Sequence, residues 1–174
     1  MSQKRVFLSG LILFVVSQAV SAAFDRAQLV VWANEAVVAT YTFDYKNYLQ
    51  QQKASAQYFT ADGWIAYNKA LTASKLLETV QKNSYEVSAV ATSPPRLTTL
   101  DPTHWQATMT LLVVYQNPQY QQRQNLKVVL SFSQMPAGLG VRGLGITSLQ
   151  TTPIDAPCQC PADNSANTNT SVTH

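Results

Sequence analysis

With 174 residues and a formal net charge of +3, the chain has the length of one domain built around a single core, able to bury roughly two thirds of its unfolded surface. Only 12% of its side chains are charged, against about 25% in ordinary soluble domains, and no run of Lys and Arg exists, which excludes a nucleic-acid-binding face. Gln, Asn, Thr and Ser must cover the surface instead, a coat with little charge to desolvate that suits an assembly component and, equally, a secreted monomer.

The amino terminus carries Lys4 and Arg5, then an uncharged run from Val6 to Phe24, then the small residues Val20-Ser21-Ala22-Ala23. This pattern predicts a signal peptide over residues 1–22, cleaved after Ala22. The alternative is an uncleaved single anchor in the inner membrane, with membrane association only in that case; Ser17, Gln18 and Ser21 dilute the run and favour cleavage. Either way the domain faces outward from the cytoplasm, and with no cysteine near the cleavage point a lipobox is excluded. Removing Lys4 and Arg5 leaves ten basic against nine acidic residues, a net of +1.

Residues 24–153 are predicted to form the domain. Trp32 to Tyr67 reads as two or three short amphipathic helices, with Leu29, Trp32, Ala33 and Ala36, then Tyr45, Tyr48 and Leu49, then Tyr58, Trp64, Tyr67 and Leu71 turned inward. Thr60 is placed to cap the last of these, with Asp62 favourable in its first turn. Another helix follows over Ser74 to Asn83, presenting Leu76, Leu77 and Val80 on one side and ending at Asn83.

From Tyr85 the period changes to two. Tyr85, Val87, Ala89 and Ala91 share one face of a strand that Pro94-Pro95 stops. Trp105, Ala107, Met109, Leu111, Val113 and Tyr115 alternate along a second strand, and Leu126, Val128, Leu130 and Phe132 along a third, after a turn at Asn117-Pro118. A last strand is expected from Gly143 to Thr152. Helices first and strands afterwards predict an α+β fold, with amino-terminal helices packed on a curved antiparallel sheet.

No constellation points to catalysis. Gly138-Leu139-Gly140-Val141-Arg142-Gly143 spells a dinucleotide fingerprint, but it runs into a strand pattern rather than a helix and reads as a hairpin connection with glycines at positive φ. Asp101 and His104 stand close in a polar, Pro-containing loop without a nucleophile turn, so His104 reads as an ordinary loop histidine. Glu35, Asp44, Asp62, Glu78 and Glu86 are scattered over separate elements. No cofactor or metal site is expected. Residues 154–174, rich in Asn, Ser, Thr and Ala, are predicted to be a disordered tail carrying Cys158-Gln159-Cys160 between two prolines. Two thiols do not make a zinc site; in an oxidising compartment they suggest a local disulfide, strained across one residue, or pairing with another chain, beside the plain alternative of a tail without function.

Ala-Thr-Tyr-Thr-Phe-Asp-Tyr at 39–45, Gln57-Tyr58-Phe59-Thr60, Gly63-Trp64, Tyr85 to Thr92 followed by Pro94-Pro95, Trp105, Leu111 to Gln116 and Arg142-Gly143-Leu144-Gly145-Ile146 occur in the order found in the IcmL (DotI) family. Over about residues 31 to 152 the chain resembles the periplasmic domain of that family, inner-membrane components of the Dot/Icm type IVB secretion system related to TraM of conjugation. The resemblance implies a fold similar to nuclear transport factor 2. It also implies a non-catalytic periplasmic scaffold that meets other secretion-system inner-membrane or periplasmic proteins, or copies of itself. The competing expectation is a stand-alone periplasmic module that holds a small apolar ligand between helices and sheet. Trp64, Tyr67, Trp105 and Tyr115 are the candidate lining, although aromatics at helix and strand spacing are more often plain core.

Overall fold

The computed structural model describes residues 24–155. The expected signal peptide and the Cys158–Cys160 pair lie outside the described residues. The chain runs α1 (Arg26–Thr40), β1 (Phe43–Asp44), α2 (Tyr48–Ala56), α3 (Ala61–Ala73), α4 (Leu76–Lys82), β2 (Glu86–Ala91), β3 (Arg96–Asp101), β4 (His104–Gln116), β5 (Gln121–Gln134) and β6 (Leu144–Ile154). Helices and then a curled, antiparallel sheet follow one another as the change of period predicts.

The sheet has the order β1-β2-β4-β5-β6, and β3 pairs with β4 beside the end of β2. One edge of β4 is therefore shared: Ala91 stands opposite Leu111, whereas Arg96 stands opposite Thr108. The crossing from one strand to the next is held at Thr110, whose N–H donates to Ser93 Oγ at 3.3 Å and whose carbonyl accepts the Thr92 N–H at 2.9 Å. The long β4–β5 ladder forms the floor, running from His104 opposite Ser133 to Gln116 opposite Gln121. Its hairpin is an Asx turn, Asn117 Oδ1 accepting the N–H groups of Gln119 at 2.9 Å and Tyr120 at 2.8 Å.

Helix α1 lies in the hollow of this sheet. Leu29, Trp32, Ala33, Ala36, Val37 and Thr40 recur at intervals of three and four and are buried, and the small Ala33 and Ala36 let the helix axis approach the strands. From below, Ala107, Met109, Leu111 and Val113 of β4 and Val128, Leu130 and Phe132 of β5 meet it. Alternation along each strand brings these positions to one face, as read from the pattern.

Four expectations need correction. Leu49 does not face inward: it is 67% exposed. The nine-residue α2 sits on the surface and attaches through polar bonds instead, Ser55 Oγ donating to the Ala39 carbonyl at 3.0 Å and Gln51 Oε1 accepting the Asp44 N–H at 2.8 Å. The segment after Pro95 is a strand rather than loop as far as Asp101; in Arg-Leu-Thr-Thr-Leu-Asp only Leu97 is buried, so the backbone ladder with β4, not an apolar face, makes it a strand. Phe43–Asp44 is likewise a short strand, paired with Val87 and Glu86. The last strand extends to Ile154, beyond the expected Thr152.

Candidate functional site

The wide end of the hollow is left open. Between the end of α1, helix α3 and strands β4 to β6 lies a cavity of about 370 Å³, lined by Tyr41, Phe43, Tyr67, Ala70, Leu71, Ser74, Leu76, Tyr115, Gln124, Leu126, Leu149, Thr151 and Pro153. No lining residue is charged. Tyr41 follows the last turn of α1, Tyr67 lies mid-way along α3 and Tyr115 comes near the end of β4, so three phenols from three elements face one space. Burial pushes all three above the ordinary tyrosine range and keeps them as neutral O–H groups. For Tyr67 the neighbouring Tyr41 and Tyr115 add to the effect, and for Tyr41 a hydrogen bond with the Thr151 side chain opposes it.

Of the four aromatics expected to line such a pocket, Tyr67 and Tyr115 do so. Trp64 stands behind Tyr67, their rings stacked at 5.6 Å, and meets the edge of Phe59 at 5.4 Å. Trp105 stands at the other end of β4: it is 5% exposed and packs on Phe24 at 5.6 Å and Phe132 at 5.7 Å. Both tryptophans support the fold rather than the cavity. Tyr41, Gln124, Thr151 and Pro153 were not foreseen as lining. Gln124 has the same parity as Leu126 along β5, but a single polar residue at the end of an apolar alternation carries no pocket signal.

The carboxylates stay apart. Glu35 Oε2 accepts from Arg142 Nη2 at 2.7 Å on the surface, tying α1 to the β5–β6 connection. Asp44 accepts the N–H groups of Lys46 and Asn47, each at 2.8 Å, which lowers its pKa. Asp62 lies in the first turn of α3, behind the Thr60 cap. Among the described residues no group of three His, Cys, Asp or Glu side chains could hold a metal ion. The Gly138–Gly143 segment is a hairpin connection, with Gly138, Gly140 and Gly143 at φ of 83°, 67° and 73°.

Asp101 and His104 close the exposed β3–β4 turn. Asp101 Oδ1 accepts the Thr103 N–H at 2.8 Å, the Thr103 hydroxyl at 3.0 Å and His104 Nδ1 at 3.0 Å. The backbone donor first, then the histidine, hold the Asp101 carboxyl down at about 2, below its ordinary 3.8. A carboxylate with a lowered folded-state pKa stabilises above its unfolded value and loses that contribution as pH falls through the folded one. The turn is therefore expected to be intact above about pH 4 and to loosen between pH 4 and 2; an NMR titration of the Asp101 carboxyl checks this, and a midpoint near 3.8 contradicts it.

The family described as type-IV b secretion system, inner-membrane complex component (DotI/IcmL) has a model that matches residues 11–153. The structure is similar to an IcmL-like type IV secretion system protein from Legionella pneumophila subsp. pneumophila str. Philadelphia 1, with a TM-score of 0.77 and 71% identity over 79% of this chain and 99% of that one. It is also similar to the periplasmic domain of DotI, at 0.71 and 31% identity over 77% of this chain and 99% of that one. A periplasmic fragment of TraM shares the fold, at 0.66 and 17% identity over 75% and 99% of the two chains. No curated protein matches significantly.

Proposed function

The chain belongs to the DotI/IcmL family of type-IVb secretion-system inner-membrane complex components, and from that premise we propose that it is a non-catalytic, periplasm-facing assembly component of such an apparatus. The 71% identity to an IcmL-like type IV secretion protein, over nearly all of that chain, is the observation that carries this reading. In this reading residues 1–22 are removed on export, the cone of helices and curled sheet is of the nuclear transport factor 2 kind, and the surface works by meeting other envelope proteins. The dispersed carboxylates and the exposed Asp101–His104 turn, where the Thr103 hydroxyl lies 3.0 Å from both Asp101 Oδ1 and His104 Nδ1 but on the open surface rather than in a cavity, support a role without catalysis.

The open cavity favours a second reading, in which a stand-alone module holds a small uncharged ligand against Tyr67 and Tyr115. Affinity purification of the tagged full-length protein from envelopes, with and without a crosslinker, separates the two. Co-purifying secretion components are expected. A lone protein carrying a small molecule contradicts the assembly reading. Mass spectrometry of the same material is expected to find an amino terminus at Ala23; an intact Met1 retained in membranes contradicts cleavage.

A further inference from the structure

Strand β6 is the last strand of the sheet, and only its beginning is covered. Ile146 accepts the Thr60 N–H at 2.9 Å and donates to the Tyr58 carbonyl at 2.7 Å, a short parallel bridge that closes the edge at this point. Beyond it no segment among the described residues pairs with the outer side of β6. The direction of the remaining backbone groups follows from the register. Ile146, opposite Phe132, points outward; past the bulge between Ser131 and Phe132, Ser148 stands opposite Ser131, Gln150 opposite Val129 and Thr152 opposite Lys127. Gln134 donates to the Thr103 carbonyl at 2.9 Å, so even-numbered residues of β5 turn to β4 and odd-numbered ones turn to β6. Gln150 and Thr152 are therefore bonded to β5, and Leu149, Thr151 and Pro153 point outward.

These same three residues line the tyrosine cavity. The N–H and C=O groups of Leu149 and Thr151, and the carbonyl of Pro153, which no strand among the described residues pairs, thus border the opening between α3 and the sheet. Pro153, which has no N–H to offer, stands on the outward side, where proline is tolerated in a sheet, and it limits how far a ladder can extend.

We propose that this edge and cavity form one docking site for an extended segment of a partner polypeptide. The segment adds as a strand beside Leu149–Pro153 and inserts one uncharged apolar side chain between Tyr67 and Tyr115. The row of main-chain donors and acceptors at strand spacing is complementary to another extended chain, and a compact ligand in the cavity leaves it unpaired. Charge complementarity sets the side chain: with no charged group in the lining, an inserted Lys or Glu is desolvated without a partner, whereas a tyrosine or leucine is accepted by phenol rings and Leu126, Leu149 and Leu71. This deepens the assembly reading and rests on it, naming the kind of partner.

The test uses the full chain after export and capped nine-residue peptides that alternate threonine with apolar residues and carry Leu, Phe or Tyr at the centre. Matched peptides carry Lys or Glu there, or N-methyl groups on alternate amides. Binding of the uncharged series is expected to slow amide hydrogen exchange at Leu149 and Thr151 about ten-fold or more. Central Lys or Glu, or N-methylation, is expected to remove both binding and protection. Thr151→Pro takes away an outward donor without breaking a bond to β5 and is expected to weaken binding about ten-fold; unchanged binding by the folded variant overturns the proposal. So does failure of every peptide to protect the two amides, or equal binding of the N-methylated series.

Two other occupants have their own signatures, and each also overturns the proposal. If 4-methylphenol perturbs the Tyr67 and Tyr115 ring resonances while no peptide protects the amides, the cavity is a small-molecule site. If the two amides become protected with rising protein concentration alone, alongside a sedimenting dimer, the edge pairs with a second copy. Failure here is distinguishable from failure of the assembly reading. Envelope purification that retrieves secretion components with a β6 edge that binds no peptide sinks only the docking site, whereas peptide binding by a protein that purifies alone sinks the assembly reading.

Discussion

Trp32→Ala is expected to lower stability by about 3–5 kcal/mol, the cost of truncating a fully buried tryptophan. Trp32 is 0% exposed and lies against Phe132 at 4.9 Å and Tyr58 at 6.1 Å, so it joins α1 to β5 and to the α2–α3 connection at once. Its Nε1–H also donates to the Val141 carbonyl at 2.8 Å, fixing α1 to the β5–β6 connection. Truncation leaves both a cavity and an acceptor without its donor. Because folded domains have only about 5–15 kcal/mol in hand, the variant is expected to unfold at markedly lower urea. Trp32→Phe keeps most of the ring packing and loses the hydrogen bond, for a smaller loss of about 1–2 kcal/mol. A midpoint for Trp32→Ala within error of the parent contradicts this account of the core.

Gly63→Ala is expected to destabilise by about 3 kcal/mol, opposite in sign to the ordinary helix rule. In an exposed helix interior the change from glycine to alanine gains about 1 kcal/mol. Here a Cβ on Gly63 runs into the Ile146 carbonyl, closer than real Cβ atoms come, and Thr60 Oγ1 lies 3.0 Å away on another side. The obstacle is backbone, so α3 itself must shift. That shift strains the Thr60 junction, where the hydroxyl accepts the Gly63 N–H at 3.1 Å and donates to the Ile146 carbonyl at 3.1 Å, and where the Thr60 N–H reaches the same carbonyl at 2.9 Å. Overpacking against an immovable group costs roughly 1–3 kcal/mol, and loss of the cap adds about 1. Chemical denaturation of the variant decides it; a gain in stability shows that α3 and β6 can separate freely.

The helix-to-strand change at Tyr85 was legible because both halves carry their period openly. Trp32, Ala33 and Ala36 repeat at helical spacing, and Ala107 through Val113 repeat at spacing two, so the sequence by itself assigned these elements and their buried faces. The glycine turn before β6 and the Thr60 cap were legible for the same local reason: positive φ and an orphaned N–H each demand a particular residue type. Leu49, β1 and β3 were not. Leu49 lies on a nine-residue helix held by the polar bonds of Ser55 and Gln51, and hydropathy alone cannot say which surface is already occupied.

Only the tertiary structure decided which aromatics meet and which open onto space. Trp64, Tyr67, Trp105 and Tyr115 look alike in the sequence, yet Trp105 is packed against Phe132 at the start of β4 while Tyr115 near its end and Tyr67 on α3 open together onto the cavity. Residues as far apart as Tyr41 and Thr151 become neighbours through the β5–β6 register, which a bulge sets by one residue. Local patterns record what each residue needs from its own turn or ladder. The open cavity, the free stretch of β6 and the tight Gly63–Ile146 approach are products of how whole elements close on one another, and that closure has no period to read.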